Sequence, residues 1–258
     1  MPERVHVGID LAWGDRSASG VVVAVDGAVV TSATVVTDDA LVALVPDGPA
    51  VIAFDAPIEV PNETGRRDCD AQVSRCFGRH DAGAYPANRS IPWLADPRAA
   101  RLAARLGCEV GPVDPASSDG RPDREAVEVY PHAATIALFG LERVLPYKAR
   151  TGRDLETRRA ALSALCDHLE TLAAHEVPTD VLAGPRWAAL REAVASAPTR
   201  AALGRVEDEL DAHVCVHVAA LWDRDPGGCD VAGEVGRGAI VLPGSPRTSP
   251  CLAAGGEA

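Results

Sequence analysis

Four aspartates carry the chemistry that this sequence suggests first. Asp10 and Asp55 each close a short apolar, β-branched run, Val5-His6-Val7-Gly8-Ile9-Asp10 and Ala50-Val51-Ile52-Ala53-Phe54-Asp55. Asp208 and Asp211 sit three residues apart in a helical pattern and so share one face, with Glu207 one turn before Asp211. If the two runs are neighbouring strands, their carboxylates leave the sheet at the same edge, where a packed helix can bring further acids. Hard divalent cations such as Mg²⁺ and Mn²⁺ take oxygen ligands of this kind. Two carboxylates about 4 Å apart repel by roughly 4 kcal/mol at an effective dielectric of 20, so a cluster needs a cation or a raised pKa. The expectation is a Mg²⁺ or Mn²⁺ site on Asp10, Asp55 and Asp211, assisted by Asp208 or Glu128, suited to phosphodiester hydrolysis. A lone aspartate at a strand end more commonly makes a turn or caps a helix. The three-way convergence favours the site.

Positioning such a site takes a sheet and a helix, and both are legible. Runs at 5–10, 21–25 and 28–36, the last two joined by Asp26-Gly27, predict a three-stranded meander. A short helix at 38–44 and a strand at 50–55, buried on both faces, follow. Helices are expected at 64–77, 98–106, 154–174 and 198–222, and strands at 126–130 and 238–242. The order describes a mixed α/β sheet flanked by helices. Residues 1–244 read as one domain with an insertion at about 60–123, and 245–258 as a flexible tail.

Composition bounds the function classes. With 47% hydrophobic and 24% charged residues, the 258-residue chain can bury a sizeable core, which excludes wholesale disorder. No apolar run approaches the ~20 residues of a membrane span, and no signal-peptide pattern opens the chain. Seven cysteines, odd in number and scattered, fit reduced thiols, so a cytoplasmic protein with no membrane partner is expected. A net charge of −12 excludes broad nonspecific coating of nucleic acid. Residues 64–106 nevertheless hold eight arginines against four aspartates, a local excess of +4 that suits a polyanionic substrate. Lys148 is the single lysine.

Several motifs recur in a recognisable order: Gly8-Ile9-Asp10-Leu11-Ala12-Trp13-Gly14, Asp55-Ala56-Pro57, Arg66-Arg67 with Cys69-Asp70, Glu128-Val129-Tyr130-Pro131, Pro146-Tyr147-Lys148, Asp211-Ala212 and Ile240-Val241-Leu242-Pro243. Together they resemble the family called domain of unknown function 429, from about residue 5 to residue 243. The resemblance implies a ribonuclease H-like fold and a predicted nuclease. Its metal ligands would be Asp10 on the first strand, Asp55 at the fourth and Asp211 on the C-terminal helix. The Asp208/Asp211 pair is similar to the helical acids of Holliday-junction resolvases. His213 stands where the pattern would have a small or aliphatic residue.

The intervening motifs allow more than one role. Arg66 and Arg67 can meet substrate phosphate or brace the acids, and pairing with Asp70 is the structural alternative. Lys148 can touch phosphate. Glu128, inside a strand, either pairs with an arginine or joins the acidic site, and the second is favoured. Cys69, Cys76 and His80 share a helix face, as do His213 and His217, but buried packing is the stronger reading of both sets. The leading function is a divalent-metal-dependent nuclease acting on DNA or RNA, its oligomeric state open. The alternatives are a catalytically silent module that binds nucleic acid or protein, and an ATP-dependent phosphotransferase of the actin and sugar-kinase type. The last is disfavoured because Trp13 and Asp15 occupy the turn where a phosphate loop belongs.

Overall fold

The hairpin signal is realised in the computed structural model, which describes residues 4–14, 17–113 and 120–254. Asp26 and Gly27 adopt φ of 52° and 79°, the paired positive angles of a tight hairpin turn, and join β2 (Ser19–Val25) to β3 (Ala28–Val35). β1 (Val5–Asp10) lies antiparallel to β2, which completes the meander. Helix α1 (Asp38–Leu44), capped by the Thr37 side chain, returns the chain to β4 (Ala50–Phe54), which runs parallel to β1. After α2 (Asp68–Phe77) and α3 (Arg98–Arg105), the two-residue β5 (Glu109–Val110) lies beside the start of β6 (Arg124–Val129). Helices α4 (Pro131–Phe139), α5 (Leu155–Thr171), α6 (Trp187–Ala195) and α7 (Arg200–Arg224) lead to β7 (Cys229–Glu234), β8 (Gly238–Pro243) and α8 (Ser249–Ala253).

The eight strands form one mixed sheet in the order β3-β2-β1-β4-β6-β8-β7, with β5 beside β6 off that path. This is the expected α/β architecture, and it is compatible with a ribonuclease H-like fold. Strand alternation divides the core in two. Val51, Ala53, Val127 and Val129 face a layer containing α5, α6 and α7. Val7, Ile9, Ile52, Phe54 and Ala126 face the opposite side, beneath α1 and α3. No helix among the described residues is long and apolar enough to cross a membrane.

Three expectations need correction. The helix predicted from residue 64 begins at Asp68, because the Asp70 carboxylate accepts a hydrogen bond from the Arg67 backbone N–H (3.2 Å) and makes Arg67 the cap. The segment from 245, read as a flexible tail, carries α8, whose Leu252 packs into a core cluster with α2 and β8. That docking pairs Cys76 of α2 with Cys251 of α8 in a disulfide, so the seven cysteines are not all reduced. Residues 255–258 and Asp15 lie outside the described residues.

Helix α7 is what brings the late acids to the sheet, and two glycines let it approach. Its 25 residues, about 37 Å long, cross β1 and β2. A Cβ on Gly8 would stand 2.2 Å from the Ala212 carbonyl oxygen and the Val216 nitrogen, and one on Gly20 2.0 Å from the Asp208 carbonyl oxygen. Backbone therefore touches backbone on either side of the acids. Gly8→Ala or Gly20→Ala should lift α7 off the sheet. The expected cost is roughly 1–3 kcal/mol or more of stability, read by chemical denaturation, with a parallel loss of divalent-cation affinity.

Candidate metal centre

Register and pleat set the first two acids. Ile9 pairs with Phe54, and the Asp55 N–H donates to the Ile9 carbonyl at 2.8 Å, so Asp10 and Asp55 leave adjacent parallel strands at the same level. Asp10 has the alternation of Gly8, and Asp55 that of Val51 and Ala53, which aims both side chains toward α7. Asp211 arrives from α7 and is fully buried. One carboxylate oxygen from each of Asp10, Asp55 and Asp211 lies within 4.8 Å of the other two, as the sequence reading requires. Among the described residues no other group of three or more histidines, cysteines and acids gathers in this way.

A lysine sits among them. The Lys148 ammonium is 2.6 Å from Asp211 Oδ2, 3.3 Å from Glu207 Oε1 and 3.7 Å from Asp10 Oδ2. The buried Tyr147 hydroxyl donates to Asp211 Oδ1 at 2.7 Å, so Asp211 is engaged at both oxygens, while Asp10 Oδ2 is buried without a hydrogen bond. Glu207 is held by Arg158 at 2.7 Å, and the Arg158 guanidinium also donates to the Tyr147 carbonyl at 2.6 Å. The Tyr147-Lys148 pair is thus fixed at both backbone and side chain.

Crowding and burial raise the acids. Burial, with Asp211 and Glu128 adding to it against Lys148, pushes Asp55 up to about 8. Burial also raises Asp10 well above the usual carboxylate range, with Asp55 and Asp211 contributing and Lys148 opposing. Asp208, half-buried one turn from Asp211, is raised to about 6, first by burial and then by Asp211 and Glu207. Burial works against the Lys148 charge, but Asp211 and Asp10 outweigh it and hold the ammonium firmly protonated.

Other expected site residues lie elsewhere. Glu128 pairs with Phe54, one residue before Asp55, and its carboxylate binds the buried Arg67 at 2.6 and 2.8 Å and the Ile58 N–H at 3.0 Å. Glu128 therefore takes the arginine-paired alternative and does not join the three acids. Arg67, 3% exposed, spans Glu128 and Asp70 and presents no free guanidinium to a phosphate. Arg66 is exposed at the surface. The excess positive charge of 64–106 is largely consumed locally: Arg98 pairs with Asp38, Arg101 with Asp96 and Arg105 with Asp39. His213 contacts Ser32 at 3.2 Å and packs edge-on to Trp187, while His217 contacts Thr179 at 2.9 Å, so both are structural. The Cys69, Cys76 and His80 set is broken by the Cys76–Cys251 bond.

A cavity of about 260 Å³ opens beside Asp10, Asp55 and Lys148. Its aromatic lining, Trp13, Tyr85, Tyr130 and His132, was not assigned from sequence. The available signal was position: Trp13 and Tyr130 follow strands that end level with Asp10 and Asp55.

A family model described as protein of unknown function (DUF429) matches residues 8–234. The chain belongs to that family. No curated protein and no solved structure matches it. The DUF429 match starts at Gly8, the contact point of α7, and spans Asp10, Asp55, Tyr147, Lys148 and Asp211. It stops short of β8 and α8.

Two outcomes are expected from the raised carboxyls. The folded-state pKa of Asp55, about 8, stands above its ordinary 3.8, so its contribution to stability is full below about pH 4 and is lost as pH rises through 8. Metal-free protein should therefore lose melting temperature between pH 5 and 9, and Asp55→Asn should flatten that slope. Because Asp55 is largely protonated at pH 7 and Asp10 is raised as well, Mn²⁺ uptake should release at least one proton, measurable by calorimetry in buffers of different ionisation enthalpy.

Proposed function

We propose that this chain is a divalent-metal-dependent phosphodiesterase that hydrolyses nucleic acid, with Asp10, Asp55 and Asp211 holding Mg²⁺ or Mn²⁺. The reading is carried by one observation: three carboxylates within 4.8 Å of one another, offset by a single ammonium, with Asp10 Oδ2 buried and without a hydrogen bond. An all-oxygen donor set of this kind fits a hard cation and not a thiophilic one. When bound there, such an ion supplies an activated water and charge neutralisation at the phosphoryl oxygens.

The chain's own residues define the rest. Three carboxylates carry −3 when ionised, and Lys148 restores +1, so the remaining −2 is balanced by one divalent cation. Tyr147 fixes the Asp211 carboxylate by its hydroxyl, so Oδ2 keeps its direction toward Lys148 and the other acids. Asp208 stands at the half-exposed rim, one turn before Asp211, where it can hold or pass on a proton. Lys148, 28% exposed at its side chain, borders both the acids and the cavity, and is placed to meet a phosphate as well as Asp211.

The same lysine favours one competing reading. An ammonium 2.6 Å from Asp211 satisfies the acids without any metal, as in a silent module that keeps the fold to bind nucleic acid or protein. Purified protein incubated with Mn²⁺ and single-stranded, duplex or branched DNA and RNA decides between them. Cleavage that Asp10→Asn and Asp211→Asn each reduce by at least about 100-fold supports the phosphodiesterase, since even outer partners of a metal commonly cost 10–100-fold. Absence of cleavage on every substrate, together with no Mn²⁺ binding, would leave the silent module. Lys148→Met should keep the fold, tighten Mn²⁺ binding by removing the competing charge, and slow cleavage.

A further inference from the structure

We propose that the cavity beside the three acids is a stacking slot for one unpaired nucleobase, so that substrate reaches the site single-stranded or locally unpaired. The proposal rests on the phosphodiesterase reading and adds to it the form of the substrate.

Aromatic residues are scarce in this chain, at 4%, yet they concentrate here. Of its three tyrosines, Tyr147 binds Asp211, while Tyr85 and Tyr130 line the cavity together with Trp13. Tyr85 is 64% exposed, so its ring is open to a ligand entering the cavity. The Arg150 guanidinium donates to the Tyr85 hydroxyl at 3.3 Å and places a cation at the same mouth. A narrower recess of about 60 Å³ shares Trp13, Asp55, Tyr85 and Tyr130 and continues the slot away from Lys148. Flat apolar walls with a cationic rim fit a base next to its phosphate.

A hydrogen-bonding group waits in the wall. The Tyr130 hydroxyl donates to the Gly83 carbonyl at 3.1 Å, so its contact with His132 Nδ1 at 3.4 Å must be donated from the ring nitrogen. That assignment leaves His132 Nε2 as an acceptor, and Nε2 is buried without a partner. Burial lowers His132 to about 4, so the ring is neutral near pH 7. A buried acceptor of this kind is satisfied by an amino or imino N–H, which every base offers: adenine at N6, cytosine at N4, guanine at N1 and N2, thymine at N3.

Size and charge argue against a duplex at the same place. A paired and stacked base shows only its edges in the grooves and cannot enter a cavity of about 260 Å³. Duplex binding also depends on many phosphate contacts, whereas Arg67, Arg98, Arg101 and Arg105 of the arginine-rich stretch are already paired with acids.

The test uses the full chain in Ca²⁺ and a short DNA strand carrying a central 2-aminopurine, alone and annealed to its complement. The single strand should bind at least about tenfold tighter than the duplex, and its fluorescence should be quenched by stacking. Tyr85→Ala and Trp13→Ala should each weaken binding about tenfold. At the exposed Tyr85 the melting temperature should stay unchanged, and Tyr85→Phe should restore binding. Trp13 also packs on the core, so Trp13→Phe should restore both stability and binding. Equal or tighter duplex binding overturns the slot, as do aromatic variants that bind like the wild type, or no binding at all. Cleavage in Mn²⁺ is scored separately. Duplex cleavage that Trp13→Ala leaves unchanged would overturn the slot and keep the phosphodiesterase. Quenched, aromatic-dependent binding without cleavage would keep the slot and overturn the phosphodiesterase.

Discussion

Repulsion among like charges shut away from water governs this site, and much of the surrounding structure answers it. Within 4.8 Å, two carboxylates oppose each other by roughly 3.5 kcal/mol at an effective dielectric of 20, and three such pairs exist here. The fold meets that cost in three ways at once. Asp55 and Asp10 take up protons more readily than exposed carboxyls do, Lys148 places a positive charge among them, and Tyr147 donates a hydrogen bond to Asp211. Each remedy is partial. A group of acids that stays under-neutralised in a buried place is a receptor for a cation, and the strain of assembling it is relieved when the cation arrives.

The same constraint explains why α7 and the sheet meet through glycines. Asp211 must come close enough to share a ligand with Asp10, which needs a helix seated lower than ordinary side chains permit. Gly8 on β1 and Gly20 on β2 remove the Cβ atoms that would collide with the backbone of Ala212 and Asp208. Gly20 is also the cross-strand partner of Asp10. The helix is thus lowest where its acids must reach. Packing on the rest of the helix then holds it there, through Leu203, Leu210, Val214 and Val218 in the core.

How much of this was legible depended on whether the signal was local. Strands β1 and β4 and helix α1 follow from apolar runs and punctuation, and their ends fall within one residue of expectation, β4 closing at Phe54 just before Asp55. Asp208 and Asp211 could be placed on one face because helical periodicity fixes it. Glu128 could not be resolved the same way: both of its readings are consistent with a strand, and only the register against Phe54 sends its carboxylate to Arg67. Helices α4 and α6 were overlooked because Pro131 reads as a strand terminator although it opens a helix, and because Pro185 and Pro198 bracket α6 closely. The Cys76–Cys251 bond joins residues 175 positions apart, which no spacing rule reveals. The aromatic lining of the cavity is likewise a product of three separate loops.

Arg67 then takes the bracing role that its sequence context left open beside phosphate binding. Glu128 lies close enough to raise Asp55, so left unpaired it would add a fourth negative charge at the edge of the site. Arg67 binds both its oxygens and those of Asp70, and the Ile58 N–H shares the load. A buried ion pair of this kind gives little net stability after desolvation, and its loss on one side leaves an uncompensated buried charge. Its consequence is electrostatic partition. With Glu128 and Asp70 sharing one guanidinium and several N–H donors on one face of the sheet, their charge is drawn away from Asp10, Asp55 and Asp211 on the other, where Lys148 and a single divalent cation complete the balance.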